Sequence, residues 1–274
     1  MAQKPIVVGP DAKPDLEALL HQYEKLDRQV PALRKKIKAG RLTTEDVQCV
    51  IERRNPFGDA LTIQDCISVL GKDKVVTAGQ AGEFWKRDAP TGLPIFLTES
   101  ELATMAEQNK AGAADWRVVF VLGMSLREQY TLRGDDPAAK PCFYKDWDWW
   151  RKPEQDGWAT RRPGGAGYAV LDVKKRLHSM AIVTQDAELA KLGPDFFRAD
   201  ECDVTEAAFS VFGVHGELLL PGWYHWGRPV TTYRRRVYVG HHGDSGWSVN
   251  GAHPGVVDDS IGVVVARKFL RFAA

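Results

Sequence analysis

Four histidines, His225, His241, His242 and His253, gather near the C-terminal end of the chain, with Asp244, Asp258 and Asp259 close by. Imidazoles and carboxylates are common ligands of zinc and calcium, so a metal site is the first chemistry these residues raise. Neighbouring residues on a strand point to opposite faces, which keeps His241 and His242 from sharing an ion. No metal site is expected. The cysteines Cys49, Cys66, Cys142 and Cys202 are scattered and show no CxxC spacing. That pattern fits reduced thiols rather than a disulfide framework or a zinc cluster. Cys202 with His225 would make a nucleophile and its base, yet any chain of this length holds some such pair.

Glycine motifs and aromatic clusters are equally sparing. GxGxxG, GxxxxGK followed by Ser or Thr, GxSxG and HExxH are all absent. The dinucleotide, nucleoside-triphosphate, hydrolase and zinc-protease readings therefore lack their anchors, and no cofactor is expected. Arg162-Pro-Gly-Gly-Ala-Gly reads as a turn leading into a strand. Trp147-Asp-Trp-Trp offers aromatic faces that stack on sugars or bases. Pro141, Pro153 and Gly157 surround it, so the reading preferred here is an irregular region made rigid by indoles.

The elements that must position these groups follow from periodicity. Apolar residues Leu16, Leu19, Leu20, Tyr23 and Leu26 recur at helical spacing, and further helices are expected from Pro31 to Gly40, from Thr43 to Arg54 and from Thr62 to Gly71. From residue 93 onward the signals are mixed. Helices are expected at 100–110, 125–132, 187–192 and 205–212, and strands at 116–122, 168–173 and 218–220. After Gly222 short β segments alternate with turns: Arg236 to Gly240, a loop at 241–245, Gly246 to Val249, a loop from Asn250, and the apolar Ile261 to Ala266. The fold class is α+β, with a helical N-terminal region at 1–85 and a second domain at 86–274.

Bulk properties exclude more than they assign. The 274 residues carry 37 basic and 36 acidic side chains, a formal net charge of +1. No bulk field favours nucleic acid or a membrane surface. No apolar run approaches the roughly 18 residues of a membrane span, and the first residues lack the pattern of a signal peptide. The expected location is the cytoplasm. Seven of the nine tryptophans lie beyond residue 140, so the second half is built differently from the first.

Residues 228–260 are rich in Arg, Tyr, Thr, His, Asp, Ser, Gly and Asn and nearly free of long aliphatics. Such a composition suits a recognition surface, where Tyr supplies contact area and small polar groups supply hydrogen bonds. The flanks Trp223-Tyr-His-Trp-Gly-Arg and Asp259-Ser-Ile-Gly-Val-Val-Val-Ala-Arg read as scaffold. With Arg236-Val-Tyr-Val-Gly and Gly246-Trp-Ser-Val between them, this end of the chain resembles the variable proteins of diversity-generating retroelements. Ser125-Leu-Arg-Glu-Gln and the stretch from Pro141-Cys-Phe-Tyr to Trp147-Asp-Trp-Trp extend the resemblance over residues 93–274. Where that family often has Gly-Phe-Arg in the last strand, this chain has Gly262-Val-Val.

The resemblance implies a C-type lectin fold of the formylglycine-generating-enzyme type. It also implies a gene whose adenine positions near the 3′ end are rewritten by a reverse transcriptase. The implied function is hypervariable, non-enzymatic binding of a protein or other macromolecular ligand, with no membrane partner and no nucleic acid. The residues expected to display are Arg228, Thr231, Thr232, Tyr233, His241, His242, Asp244, Trp247, Asn250, His253, Asp258 and Ser260. Trp223, Trp226, Gly227, Gly240 and Gly262 are expected to hold that face still. Two alternatives stay open: an enzyme of the formylglycine-generating type using Cys142 and Cys202, and a nucleic-acid or assembly module using Arg228 and Arg234 to Arg236.

Overall fold

The computed structural model describes residues 61–95 and 97–267. The chain divides into two compact units, Met1–Asp59 and Ala60–Ala274. The helices expected between residues 15 and 54 lie outside the described residues. The second unit begins at Ala60, well before the boundary expected after residue 85. The reason is where the apolar residues of this stretch go. Cys66, Val75, Val76 and Trp85 are all buried in the main core. Trp85 donates its indole N–H to Ser210 Oγ at 2.8 Å and stacks on Phe209.

Four helices open with the same device. α1 (Ile63–Leu70), α2 (Ala78–Trp85), α3 (Glu99–Lys110) and α4 (Leu126–Arg133) each start with a capping box, from Thr62, Thr77, Thr98 and Ser125. The hydroxyl takes one free backbone N–H, and an acidic or amide side chain three residues on returns to the cap. α5 (Ile182–Ala190) is half-buried, whereas α6 (Glu201–His215) is buried at every residue from Glu201 to Val211. α6 is therefore the central helix, packed against the sheet. No helix among the described residues is long and apolar enough to cross a membrane.

The strands are β1 (Val75–Val76), β2 (Trp116–Val121), β3 (Gly167–Arg176), β4 (Phe196–Arg198), β5 (Tyr224–Val230), β6 (Arg236–Gly243), β7 (Gly246–Ala252) and β8 (Ile261–Arg267). They join in one sheet of order β1-β2-β3-β8-β5-β6-β7, with β4 also paired to β8. The last strand thus sits in the middle, antiparallel to β3 and parallel to β5. β2 and the first six residues of β8 are buried throughout, as strands covered on both faces should be. The result is an α+β fold, as the sequence predicts.

Three local differences from the sequence reading have simple causes. Residues 218–220 form no strand, since 219 and 220 make a bend with Leu220 in the left-handed region at φ 55°. The stretch from Asn250 stays in β7 as far as Ala252, because its register with β6 continues to the Arg236–Ala252 pair. The expected loop at 241–245 shrinks to the turn Asp244-Ser245 between two glycines. Two of the scaffold glycines are required by space. A Cβ on Gly240, whose φ is 139°, would lie 2.5 Å from the Trp223 carbonyl oxygen, and one on Gly262 would lie 2.7 Å from that of Arg176.

Candidate functional site

The meander β5–β6–β7 has one face on the core and one turned away. Cα partners share a face, so Val237, Val239, Val249 and His225 point inward, while Trp226, Tyr238 and Asn250 point outward. His225 bridges three segments. Its Nδ1 accepts the Val264 N–H at 2.9 Å, which leaves Nε2–H to donate to the Ala199 carbonyl at 3.1 Å. Burial, with Arg198 nearby, pushes its pKa down to about 3. It is a neutral internal strut.

The outer face carries Trp226, Tyr238, Tyr224 and His241 in consecutive aromatic contact. Ile182 of α5, Ile261 and Val256 cover the Trp226 end. The 253–260 loop is held by its own bonds: His253 accepts from the Gly255 N–H, and Asp258 accepts from both the N–H and the hydroxyl of Ser260.

Residues 231–235 form a tight turn between β5 and β6. Thr231 is buried, and its hydroxyl accepts the N–H groups of both Tyr233 and Arg235 at 3.2 Å. The Thr231 N–H donates to the Arg235 carbonyl at 2.7 Å, and Arg234 takes φ 57° to close the loop. A second set of bonds ties this turn to the tryptophan-rich segment. Trp158 Nε1 donates to Gln155 Oε1, and Gln155 Nε2 donates to Thr232 Oγ1, each at 2.9 Å. Trp150 and Trp158 are buried, as the structural reading of this segment expects, but Trp149 is only half-buried.

The turn and Trp149 enclose an open groove of about 480 Å³, lined by Trp149, Tyr233, Arg235, Asn250 and Gly251. That volume lies in the range of small-ligand pockets. Tyr233 is 61% exposed at its rim, and its hydroxyl donates to Glu154 at 3.4 Å. The walls thus offer two aromatic rings, one guanidinium and one amide, on a turn whose backbone is already bonded.

The displayed set expected from sequence divides accordingly. Tyr233 and Asn250 line the groove, and Thr232 lies beside it with its hydroxyl engaged by Gln155. His241 and Asp244 are exposed at the other end of β6 and β7, on the order of 20 Å away for strands of this length. His253, Asp258 and Ser260 belong to the loop, and Arg228 lies over Phe197 while donating to the Arg198 carbonyl.

Three expectations are overturned by burial. Thr231 holds the turn rather than displaying. Trp247 is fully buried and donates to Thr205 Oγ1 at 3.0 Å. His242 is 4% exposed among Phe209, Phe212 and Trp247, and burial pushes its pKa down to about 4. Alternation from Val249 turns Trp247 inward, the register shift between Gly240 and Gly243, with His241 at φ 53°, turns His242 inward, and Thr231 is buried by the closing of its turn. The reading missed Trp149, Arg235 and Gly251 as lining residues, although Arg235 belonged to the arginine run already weighed for nucleic acid.

The remaining chemistry-bearing groups are accounted for by packing. Among the described residues, Asp200, Glu201 and Cys202 are the grouping whose ligand atoms come close enough for a metal. Arg161 already occupies it, 2.7 Å from Asp200 and 2.8 Å from Glu201. Burial opposes the Arg161 charge, but the two carboxylates outweigh it and push its pKa up. Glu206 is fully buried at the end of β2, where it accepts the N–H groups of Leu122 and Met124. Burial raises its carboxyl to about 7. Cys142 and Cys202 are both buried and unpaired, and burial raises both thiols.

The fold and the groove define a class only as far as an α+β protein with an open, preformed cleft at a sheet edge. No family model, curated protein or solved structure matches the chain.

Proposed function

We propose that this is a non-catalytic binding protein whose ligand enters the groove between Trp149 and the 231–235 turn. The observation that carries this is the bonding of the turn itself. Tyr233 and Arg235 are held by the buried Thr231 hydroxyl before any ligand arrives, so little ordering is left to oppose binding. A site of that kind tolerates exchange of its displayed side chains, because the scaffold bonds are made by backbone and by buried neighbours.

The same logic supports the finer reading, a hypervariable protein of the retroelement kind on a C-type lectin-like scaffold. The last strand is clamped in the middle of the sheet, so the meander beside it presents its turns from a fixed frame. On this reading the diversified set centres on Tyr233, Arg235 and Asn250, and excludes Thr231, His242 and Trp247. The enzyme alternative needs reactive thiols, whereas Cys142 and Cys202 are buried with their pKa values raised.

The deciding experiment is on DNA. Sequencing around the 3′ end of the gene should find a near-copy of the codons for residues 228–265, differing mainly at adenines and lying beside a reverse-transcriptase gene. The differences should fall on codons for Tyr233, Arg235 and Asn250 and spare those for Thr231 and Trp247. No copy, or one varying at the buried positions, sinks the hypervariable reading.

A further inference from the structure

One wall of the groove is made by backbone, and that wall narrows the class of ligand. β7 is an edge strand, and alternate residues of such a strand turn their N–H and C=O groups away from the sheet. In β7 these are Trp247, Val249 and Gly251. The Trp247 N–H donates to the Cys142 carbonyl at 2.8 Å, and its carbonyl accepts the Tyr144 N–H at 2.9 Å. The Val249 carbonyl accepts the indole N–H of Trp149 at 3.3 Å. At Gly251 this cover stops. Its N–H is met at 2.7 Å by its neighbour Asn250 Oδ1, and among the described residues nothing donates to its carbonyl from outside the sheet. The open end of the edge therefore coincides with the groove.

Charge within the turn beside this edge is one-sided, and the Glu154 carboxylate at the rim faces the Tyr233 hydroxyl. Residues 228–236 contain Arg228, Arg234, Arg235 and Arg236 and no carboxylate. Arg228 is committed to the Arg198 carbonyl, and Arg236 donates to the Arg228 carbonyl. Among the described residues neither Arg234 nor Arg235 forms an ion pair. Arg235 lines the groove, with no carboxylate in ion-pair contact among the described residues.

We propose that the groove takes an extended, acidic segment of a partner protein, which pairs through its backbone with β7 at Gly251 and sets a carboxylate against Arg235. This rests on the binding-protein reading above and adds the kind of ligand. Strand addition draws on main-chain hydrogen bonds for affinity and on pockets for alternate side chains for specificity. Trp149 and Tyr233 supply those pockets here. Single-stranded nucleic acid also suits aromatic rings and arginine, but it has no amide pattern to match the edge. The 480 Å³ hollow also suits a few peptide side chains better than a run of stacked bases.

The test uses the full chain and four fluorescein-labelled probes. These are a peptide of alternating Glu and Val about eight residues long, enough to span a strand, the same peptide with Lys for Glu, the Glu-Val peptide N-methylated at alternate amides, and an oligo-dT of similar length. The Glu-Val peptide should bind, more weakly as salt is raised. N-methylation and Arg235→Glu should each weaken it by roughly tenfold or more, while Lys110→Gln, at the exposed end of α3 beside β2, should not. Far-UV circular dichroism of Arg235→Glu should match the parent protein. Preference for oligo-dT, equal binding of the N-methylated peptide, or no binding of either Glu-Val peptide overturns the proposal. A template copy found beside the gene together with failed peptide binding overturns the ligand class alone and leaves the hypervariable reading standing.

Discussion

The two halves of the sheet solve different problems with the same backbone. In β2, β3 and β8 nearly every side chain is buried, and the strands are runs of Val, Ala and aromatic residues. In β5, β6 and β7 burial is less complete, alternating only along the start of β6, and the turns carry polar or aromatic groups outward. The first half makes a frame in which any change disturbs packing. The second keeps only one face for the frame and leaves its turns free to differ. On the binding-protein reading proposed above, what separates scaffold from display is the direction of each side chain rather than its position in the chain. Thr231 and Tyr233 are two residues apart, yet the first is buried and the second exposed.

Trp247 gives the strongest way to break that comparison, since it lies in the polar-looking half but packs as frame. Trp247→Ala should cost about 3–5 kcal/mol, the usual range for truncating a buried aromatic, read as a fall in the urea midpoint. A loss near zero would show that the meander is not anchored through its inner face.

His242 sharpens the comparison through pH. Its folded pKa of about 4 lies below the ordinary 6.5, because burial disfavours the charged ring. The unfolded chain therefore takes up a proton first as pH falls, and stability is lost between 6.5 and 4. His242→Phe removes that loss, so its stability relative to the parent should rise on acidification by up to about 3 kcal/mol. His225 and Glu206 titrate in both proteins and cancel in the difference. Parallel acid unfolding curves would mean that His242 does not couple this core to pH.

Thr231→Ala should cost about 1 kcal/mol through the two backbone N–H groups it orphans. It should also speed amide hydrogen exchange at Tyr233 and Arg235; unchanged exchange there would contradict a turn held by that hydroxyl. The smallest stability effect is expected at the rim. Tyr233→Ala and Arg235→Ala should each stay within about 0.5 kcal/mol of the parent in chemical denaturation. A large loss from either would place it in the frame.

Much of the frame was legible because its signals are local. The strand at 116–121, the helix opening at Ser125 and the apolar last strand follow from periodicity, capping chemistry and β-branched content. The Thr62 to Gly71 helix matches as well, capped at both ends. β4 was not legible: three residues, Phe196–Arg198, form a strand only because β8 offers an edge to them. Likewise the unit boundary depends on Trp85 reaching Ser210, a contact across 125 residues of sequence. For the groove, composition singled out the segment that holds Tyr233 and Asn250 but could not tell Tyr233 from Thr231. That distinction needs the fold of a turn whose hydrogen bonds are invisible in a list of polar residues. Trp149 was hidden for the opposite reason, since its neighbours Trp150 and Trp158 are buried and the cluster reads as one structural unit.

The parallel bridge between Phe143 and Trp247 has a consequence for how copies of this protein behave at high concentration. An uncovered edge strand is a template on which other chains stack, and long flat edges lead to aggregation. Here the segment from Cys142 to Trp149 shields β7 as far as Val249, so only its last few residues are open. So short a stretch gives no run of pairing long enough to seed a growing fibre.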